Sequence, residues 1–487
     1  MKQITLLLLL MTYMSVPHND VSNVAQTYVN NDLGYSIEIY NDMQVDDSLK
    51  GIVTTIKNND ITLNIYYDDF TGTYNNYKTY VGYSNNFLND TRNHTLLEEQ
   101  NIEIDGKPAH FLAYTRGKLA YIANDKNYYC SAEIKVTDKK VYTVIAKTNK
   151  SNLTELKAII NSFKVIGMPQ NATIPDKFFK KKALSTHTKT QELYKTYFSD
   201  NAGLTWGIFE PDAPYDFNAL DNIESITNYD FKFLVRYQGL SRGLPQEELK
   251  NAENKNKYVE LTLQTMNTNA GEIDIYEILN GRYEEYFSKY ARDIKSLNTP
   301  VLFRLNNEMN GDWCGYSSYF YCKDPELYVE TWKYIYNIFR RNNVTNVLWV
   351  WNPNHKDFPG FKFNHALMYY PGDEYVDIVG LTAYNTGNYF KDEYWTSFDE
   401  LYADYYSEYA RIFEKPLMIT EFGSSTFGGD KVEWVKDMFD SIKNYPRIKV
   451  AIWWSGTDRD EEGNPGRIYR IDTPIEVLSV FRDNLAN

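Results

Sequence analysis

Histidine and cysteine are scarce in this chain of 487 residues, and long apolar runs are almost missing. Six histidines, with only His355 and His365 near one another in the carboxy-terminal part, offer no HExxH or comparable ligand spacing, so no catalytic metal or other cofactor is implied. Three cysteines, Cys130, Cys314 and Cys322, are too few for a disulfide framework and allow at most one bridge. The "GSS" after Glu421 lacks the flanking glycines of a serine nucleophile elbow. Basic side chains are outnumbered, 51 against 65 acidic, giving a net charge of -14 that repels an extended polyanion; nucleic acid is excluded as a partner. The one uncharged run, from Ile4 to Val16 behind Lys2, has signal-peptide length and is too short for a stable membrane span. Residues 1–25 are therefore expected to be a leader, and the protein to be secreted. No second apolar run follows, so no membrane span is expected.

What the chain has in plenty is aromatic: 43 tyrosines, 25 phenylalanines and 9 tryptophans. Flat amphipathic rings of this kind suit wet surfaces and sugar stacking, although an Asn-, Lys- and Ile-rich composition accounts for part of the excess. At this length, two or three domains are expected unless one is a large α/β barrel.

Residues 26–166 read as a small α+β domain. Short alternating segments such as "YSIEIY", "IVTTIKN", "ITLNIYY", "AHFLAYTRG" and "KVYTVIAKT" predict an antiparallel sheet. "SNLTELKAIINSFKVIG" predicts a closing helix, capped by Ser151 or Asn152. Cys130, in "NYYCSAEI", is expected to be buried and free. The domain has a loose likeness to export-associated PsbP-like modules, carried by no motif of its own; it could bind glycan or hold the barrel off the cell surface, and a spacer or attachment role is the first expectation. Residues 167–190 have the Pro and Lys content of a linker.

From 191 to 487 the pattern changes to apolar runs separated by charged, helix-like stretches. The runs are "LTWGIF", "FKFLVRY", "YVELTLQT", "PVLFRLNNE", "NVLWVWNPN", "VDIVGLTAYN", "PLMITEFGSS" and "IKVAIWW". Continuous apolar strands alternating with helices indicate a parallel sheet covered on its outer face, and eight units fit a (β/α)8 barrel; a doubly wound open sheet has the same grammar. Barrel chemistry gathers at the carboxyl ends of the strands, where each run here turns polar. Two runs end in a glutamate, Glu308 and Glu421, and on a barrel both face one mouth. Either glutamate alone is more often a cap or an ion-pair partner. Two at matched strand ends are the pair that glycosidic cleavage requires, one to protonate the leaving oxygen and one to attack or to activate water.

"RLNNEMNGDW", "YYPGDEYVDIVGLTAYN" and "KPLMITEFGSS" resemble glycoside hydrolase family 26. Members of that family are mostly endo-β-mannanases, with some mixed-linkage β-glucanases and β-1,3-xylanases. The resemblance implies an exported retaining endo-β-glycanase acting on a polysaccharide, as a monomer. β-Mannan or glucomannan is the first expectation, and mixed-linkage β-glucan or β-1,3-xylan the alternative. Outside that class, a non-catalytic glycan-binding protein or an accessory to polysaccharide export would use the same barrel. The resemblance makes Glu308 the acid/base and Glu421 the nucleophile. It makes Arg304 an orienting partner of a catalytic carboxylate, Trp313 a lining of the sugar cleft, and Tyr384 a hydrogen-bond donor to the nucleophile. In "AIWWSG", Trp453 and Trp454 point to opposite sides of a strand, so only one can floor the sugar site. Three positions depart from the family: Asn307 where histidine is usual, Thr382 where mannanases tend to carry Asp, and Gln264 where they often offer histidine. Asn307 and Gln264 are read as substrate-binding, and all three departures bear on which sugar is accepted. "CGYSSYFYC" places Cys314 and Cys322 at the ends of a short loop next to the acid/base, where a disulfide would hold the loop rigid.

Overall fold

The computed structural model describes residues 25–485 apart from 171, 241 and 267–272. The expected leader, residues 1–25, lies outside the described residues except for Ala25, which begins the first strand.

The amino-terminal part holds two sheets. A three-stranded sheet is formed by β1 (Ala25–Asn30), β2 (Tyr35–Tyr40) and the short β10 (Lys164–Val165). A seven-stranded antiparallel sheet has β3 (Gln44–Asp46), β4 (Thr54–Lys57), β5 (Ile61–Asp69), β6 (His94–Ile104), β7 (Lys107–Arg116), β8 (Tyr128–Lys135) and β9 (Lys140–Thr148), in the order β3-β4-β5-β9-β8-β7-β6. Helix α1 (Tyr77–Ser84) starts at a capping box on Asn76. Helix α2 (Thr154–Asn161) is the one the periodicity predicts, but its N-cap is Leu153 rather than Ser151 or Asn152, because the Asn152 side chain closes the preceding turn by accepting from the Thr154 N–H at 3.1 Å. β6 shows no alternation because it is an edge strand with most of its side chains in solvent, which hides it from pattern reading. One face of the large sheet packs on β2 and α2 through Tyr35, Ile37, Ile65, Tyr142 and Phe163, with the buried Cys130 in the same cluster.

The rest closes into a parallel eight-stranded barrel: β11 (Thr205–Phe209), β12 (Phe233–Gly239), β13 (Tyr258–Gln264), β14 (Val301–Leu305), β15 (Val347–Trp351), β16 (Ile378–Asn385), β17 (Leu417–Ser424) and β18 (Ile448–Trp454). β18 returns to pair with β11, which settles a (β/α)8 barrel over an open sheet. Alternate residues fill the interior, among them Val235, Leu302, Val350, Met418 and Ile452, with Leu193 and Phe198 closing the bottom. The other parity, Phe303, Trp349, Leu381 and Ile419, packs outward against the helices. The helix Glu326–Arg341 shows why these segments are helical: Leu327, Trp332, Ile335 and Phe339 bury one stripe, with Glu326 in the first turn and Arg340 and Arg341 in the last.

Two features bind the halves together. The stretch 167–190 is docked rather than free, since Phe179 bridges to Phe413 and stacks on it at 4.5 Å. The outer face of the large sheet is continuous with the barrel core: Tyr66, Tyr80, Tyr114 and Tyr129 belong to the same apolar cluster as Tyr316, Tyr321 and Phe361.

Candidate active site

The site stands on a layer of charge inside the barrel. On β14, Leu302 and Arg304 share the inward parity, and Arg304 is completely buried level with Thr262 of β13. Its Nε donates to Thr262 Oγ1 at 2.7 Å and lies 2.6 Å from the carboxylate of Glu260, one turn of the pleat below. Its Nη1 donates to Glu421 Oε1 at 2.7 Å and to Asn352 Oδ1 at 3.1 Å. One guanidinium thus serves two buried carboxylates. Burial pushes the Glu260 carboxyl up to about 8, against the pull of Arg304.

Glu421 faces inward because β17 is irregular. Simple alternation from the inward Met418 would send Glu421 outward, but Leu381 pairs with Ile419 and its neighbour Thr382 with Glu421, so one residue is bulged out of register. Phe422 then points outward onto Trp453. Oε1 of Glu421 also lies 3.3 Å from the Asn307 amide, and Oε2 accepts from Tyr384 at 2.9 Å and from Tyr237 at 2.7 Å. Burial and the neighbouring Glu421 raise both phenols well above their ordinary range, so they remain donors at neutral pH.

Glu308 sits in a turn with φ of +53°, two residues after Asn306 at +54°. Neither is glycine, so this left-handed backbone is strained and must be held. It is held by the Glu308 N–H on Asn352 O at 2.8 Å and by Asn306 N–H on Leu263 O at 3.0 Å. Asn354 donates to Glu308 Oε1 at 2.6 Å. Burial, then the charge of Glu421, push the Glu308 carboxyl up to about 7, partly offset by Asn354, Arg304 and Trp313. Asn307 lies between the two glutamates. Its Oδ1 accepts from Gln264 at 3.0 Å, which turns its NH2 toward Glu308 Oε2 at 3.4 Å and Glu421 Oε1 at 3.3 Å. Those two oxygens cannot be farther apart than the sum of the two contacts.

The structure therefore brings together Arg304, Asn307, Glu308, Gln264, Tyr384 and Glu421. Thr382 is buried in the layer beneath, bonded to Asn352 and Thr420 rather than open to the mouth. Trp313 is at the rim, half exposed. The two tryptophans of β18 separate. Trp454 stacks on Phe209 at 5.1 Å and meets Tyr384 edge-on at 6.1 Å, its ring lying over Gly456, where a Cβ would come within 2.2 Å. Trp453 is no site residue: it is fully buried in the outer layer, bonded to Tyr469 O and packed on Phe481.

The expected disulfide is also overturned. Cys314 and Cys322 are both free and buried, along with Cys130. The Cys314 thiol turns to Asn307 O at 3.7 Å, whereas Cys322 turns to the Tyr276 hydroxyl at 3.7 Å, so the loop's ends face different surroundings. Sequence reading missed Tyr237, Asn352, Asn354 and Glu260. Tyr237 and the two asparagines follow or end strands as the predicted residues do, in "LVRYQG" and "WNPNH", so the strand-end rule would have found them. Glu260 is mid-strand and carries no such signal.

Residues 254–458 match the sequence model of Glycosyl hydrolase family 26. The chain is 33% identical over 218 residues to Endoglucanase H of Acetivibrio thermocellus, an alignment covering 44% of this chain and 23% of that protein. It is 33% identical over 196 residues to a mannan endo-1,4-beta-mannosidase of Bacillus subtilis, covering 38% and 47% respectively. The matched part is less than half the length of either relative. Among solved structures, the catalytic domain of an endo-beta-1,4-mannanase from Bacillus sp. JAMB-750 aligns with 65% of this chain and 93% of its own, at 17% identity and a TM-score of 0.46.

Proposed function

We propose that this protein is an exported endo-β-glycanase that cleaves a β-linked polysaccharide with retention of anomeric configuration, acting as a monomer. The observation that carries the reading is the position of Asn307 between the two carboxylates. Its contacts of 3.4 and 3.3 Å hold the two bonded oxygens no farther apart than their sum, which admits the roughly 5–5.5 Å of a nucleophile and an acid/base and reaches only the lower edge of the roughly 6.5–9.5 Å that an inverting enzyme needs for its water; this supports retention.

In the first step, Glu308, whose raised carboxyl keeps a substantial share protonated up to about pH 7, gives its proton to the glycosidic oxygen as the C–O bond to the leaving sugar breaks. Glu421 Oε1 or Oε2 forms the new bond to the anomeric carbon. In the second step, Glu308, now a carboxylate, takes a proton from water. That water attacks the anomeric carbon, and the bond to Glu421 breaks. Arg304, Tyr237 and Tyr384 hold Glu421 in line, and the Asn307 amide is placed to bond the sugar hydroxyl beside the reacting carbon. Trp454 supplies a ring next to Glu421 for the sugar that becomes bound.

β-Mannan or glucomannan is the preferred substrate, in keeping with the similarity to a mannan endo-1,4-beta-mannosidase. Mixed-linkage β-glucan is the second reading, favoured by Asn307 in place of histidine and by the similarity to a protein named as an endoglucanase. A purely glycan-binding role sits poorly with two carboxylates joined through one amide and one arginine. No helix among the described residues is long and apolar enough to cross a membrane. The test is a reducing-sugar assay on glucomannan, galactomannan, lichenan and β-1,3-xylan. Release from none of them removes the reading.

A further inference from the structure

We propose that the amino-terminal unit forms part of the substrate cleft, with Trp313, Phe358 and Tyr83 making one stacking surface for the leaving-group side of a neutral β-linked glycan chain. The proposal rests on the hydrolase reading above and extends it across the seam between the two halves.

Three large rings are left open at one place. Trp313 is 50% exposed, Phe358 41% and Tyr83 42%, in a chain whose other aromatic residues are mostly covered. Each is supported from one side. Trp313 lies across Gly311, where a Cβ would come within 2.5 Å of the indole, and its centroid is 5.3 Å from that of Phe358. Tyr83, on α1 of the amino-terminal unit, stacks on the buried Tyr319 at 4.8 Å and meets Phe361 edge-on at 6.2 Å. The hydroxyl of Tyr83 bonds the carboxylate of Asp312, the residue before Trp313. Trp313 and Phe358 thus form one pair of exposed rings at the barrel mouth, and Tyr83 is joined to it across the seam through Asp312.

The surface begins at the acid/base. Trp313 lies over Gly311, whose N–H bonds the Glu308 carbonyl at 2.9 Å, whereas Trp454 meets Tyr384, which bonds Glu421. The proton from Glu308 goes to the oxygen of the departing sugar, so the departing chain leaves on the Trp313 side. Pyranose rings present apolar faces that cover aromatic rings, and the protein's net charge of -14 disfavours a polyanionic chain. A neutral glycan is the occupant these properties select.

The seam is built to hold these rings still. At the far end of the loop, Cys322 and Lys323 have φ of +60° and +54°, which turns Lys323 away from the barrel. Its ammonium meets Glu133 of β8 at 2.6 Å, with both side chains fully buried. Next to it, Asp324 accepts from Lys147 at 2.8 Å and from Tyr129 at 2.8 Å, and Cys322 O accepts from Tyr114 at 3.1 Å. Breaking such buried pairs is costly, so the loop that carries Trp313 is tied to the amino-terminal sheet at its end and to Tyr83 near its start. Rings ordered before binding lose less entropy when a sugar stacks on them.

The test uses the full chain and two substrates, glucomannan and a short aryl β-glycoside whose leaving group ends at the first position beyond the cleaved bond. Tyr83→Ala is expected to lower kcat/KM on the polymer by about 2- to 10-fold more than on the aryl glycoside, the weight of one aromatic contact. Tyr83→Phe, which keeps the ring, should retain most of the polymer value. An equal fall on both substrates would place Tyr83 in support of the acid/base loop and overturn the proposal, as would no fall on the polymer. If the parent protein cleaves neither substrate, the hydrolase reading fails by itself. Retardation in glucomannan affinity gels then decides the surface, with loss in Tyr83→Ala supporting it and equal retardation of parent and variant overturning it.

Discussion

Arg304 Nη1 lies 2.7 Å from Glu421 Oε1, with the arginine fully buried and the glutamate nearly so. Because the same guanidinium also meets Glu260, whose carboxyl burial already pushes up to about 8, removing it leaves Glu421 without its countercharge and the Glu260 carboxyl without its partner. Arg304→Met should cost about 3–5 kcal/mol in chemical denaturation and abolish most turnover. Adding Glu260→Gln should restore much of the stability and little of the activity. An Arg304→Met protein as stable as the parent would show that the ion pairs are not what holds this layer.

Glu308→Ala and Glu421→Ala should each reduce kcat on polymer by about 10²-fold or more, since acid/base help alone is worth roughly 10²–10⁴. An activated aryl leaving group should partly rescue Glu308→Ala and leave Glu421→Ala inactive. Proton NMR of the first product should show the retained anomer, and an inverted one would contradict a covalent intermediate on Glu421.

Glu308 also sets a pH dependence. Its carboxyl is raised from 4.5 to about 7 in the folded protein, so the acid form needed for the first step disappears above pH 7, and kcat/KM should fall there. The sign for stability is the same. Below about pH 4.5 the group is protonated in both states; between 4.5 and 7 the folded state holds the proton more tightly, so stability is lost as pH rises. Glu308→Gln should therefore raise the melting temperature more at pH 8 than at pH 4, and should lose the alkaline limb.

Tyr237 and Tyr384 share Oε2 of Glu421. Each single change to Phe leaves one phenol in place, so each should lower kcat by roughly 10-fold, the lower end of what a hydrogen bond to a charged group is worth. The double variant should fall by more than the product of the two. A double variant no worse than either single would show that only one phenol acts on Glu421.

Lys323→Ala should destabilise the protein by up to about 3–5 kcal/mol, because the buried Glu133 would lose its ammonium partner and keep only His110 as an ion-pair partner. Thiol counting in denaturant without reductant should give three free thiols per chain, matching the free state of Cys130, Cys314 and Cys322. One free thiol would restore the disulfide and remove the need for the ion pairs to fix the loop.

Much of the barrel was legible because its information is local. Each strand is an apolar run with a polar end, and that pattern marked Glu308 and Glu421 with no knowledge of packing, whereas Arg304, Asn307 and Tyr384 were picked out by the resemblance to glycoside hydrolase family 26. The amino-terminal sheet was legible where strands are half buried and lost at β6, whose side chains mostly face water.

The order of the chain alone determined that two glutamates stand at matched strand ends, and that a parallel α/β architecture carries them. Tertiary structure decided the rest, because it depends on partners distant in sequence. Alternation assigns a side chain to a face only while the register is unbroken, and the bulge opposite Thr382 breaks it at Glu421. Neighbouring tryptophans carry the same local signal, and only the helix layer against β18 buries Trp453 while leaving Trp454 at the mouth. Cys314 and Cys322 are close in sequence, yet one faces the turn that carries Asn307 and Glu308 and the other the seam, because Lys323 finds its countercharge on a strand 190 residues earlier.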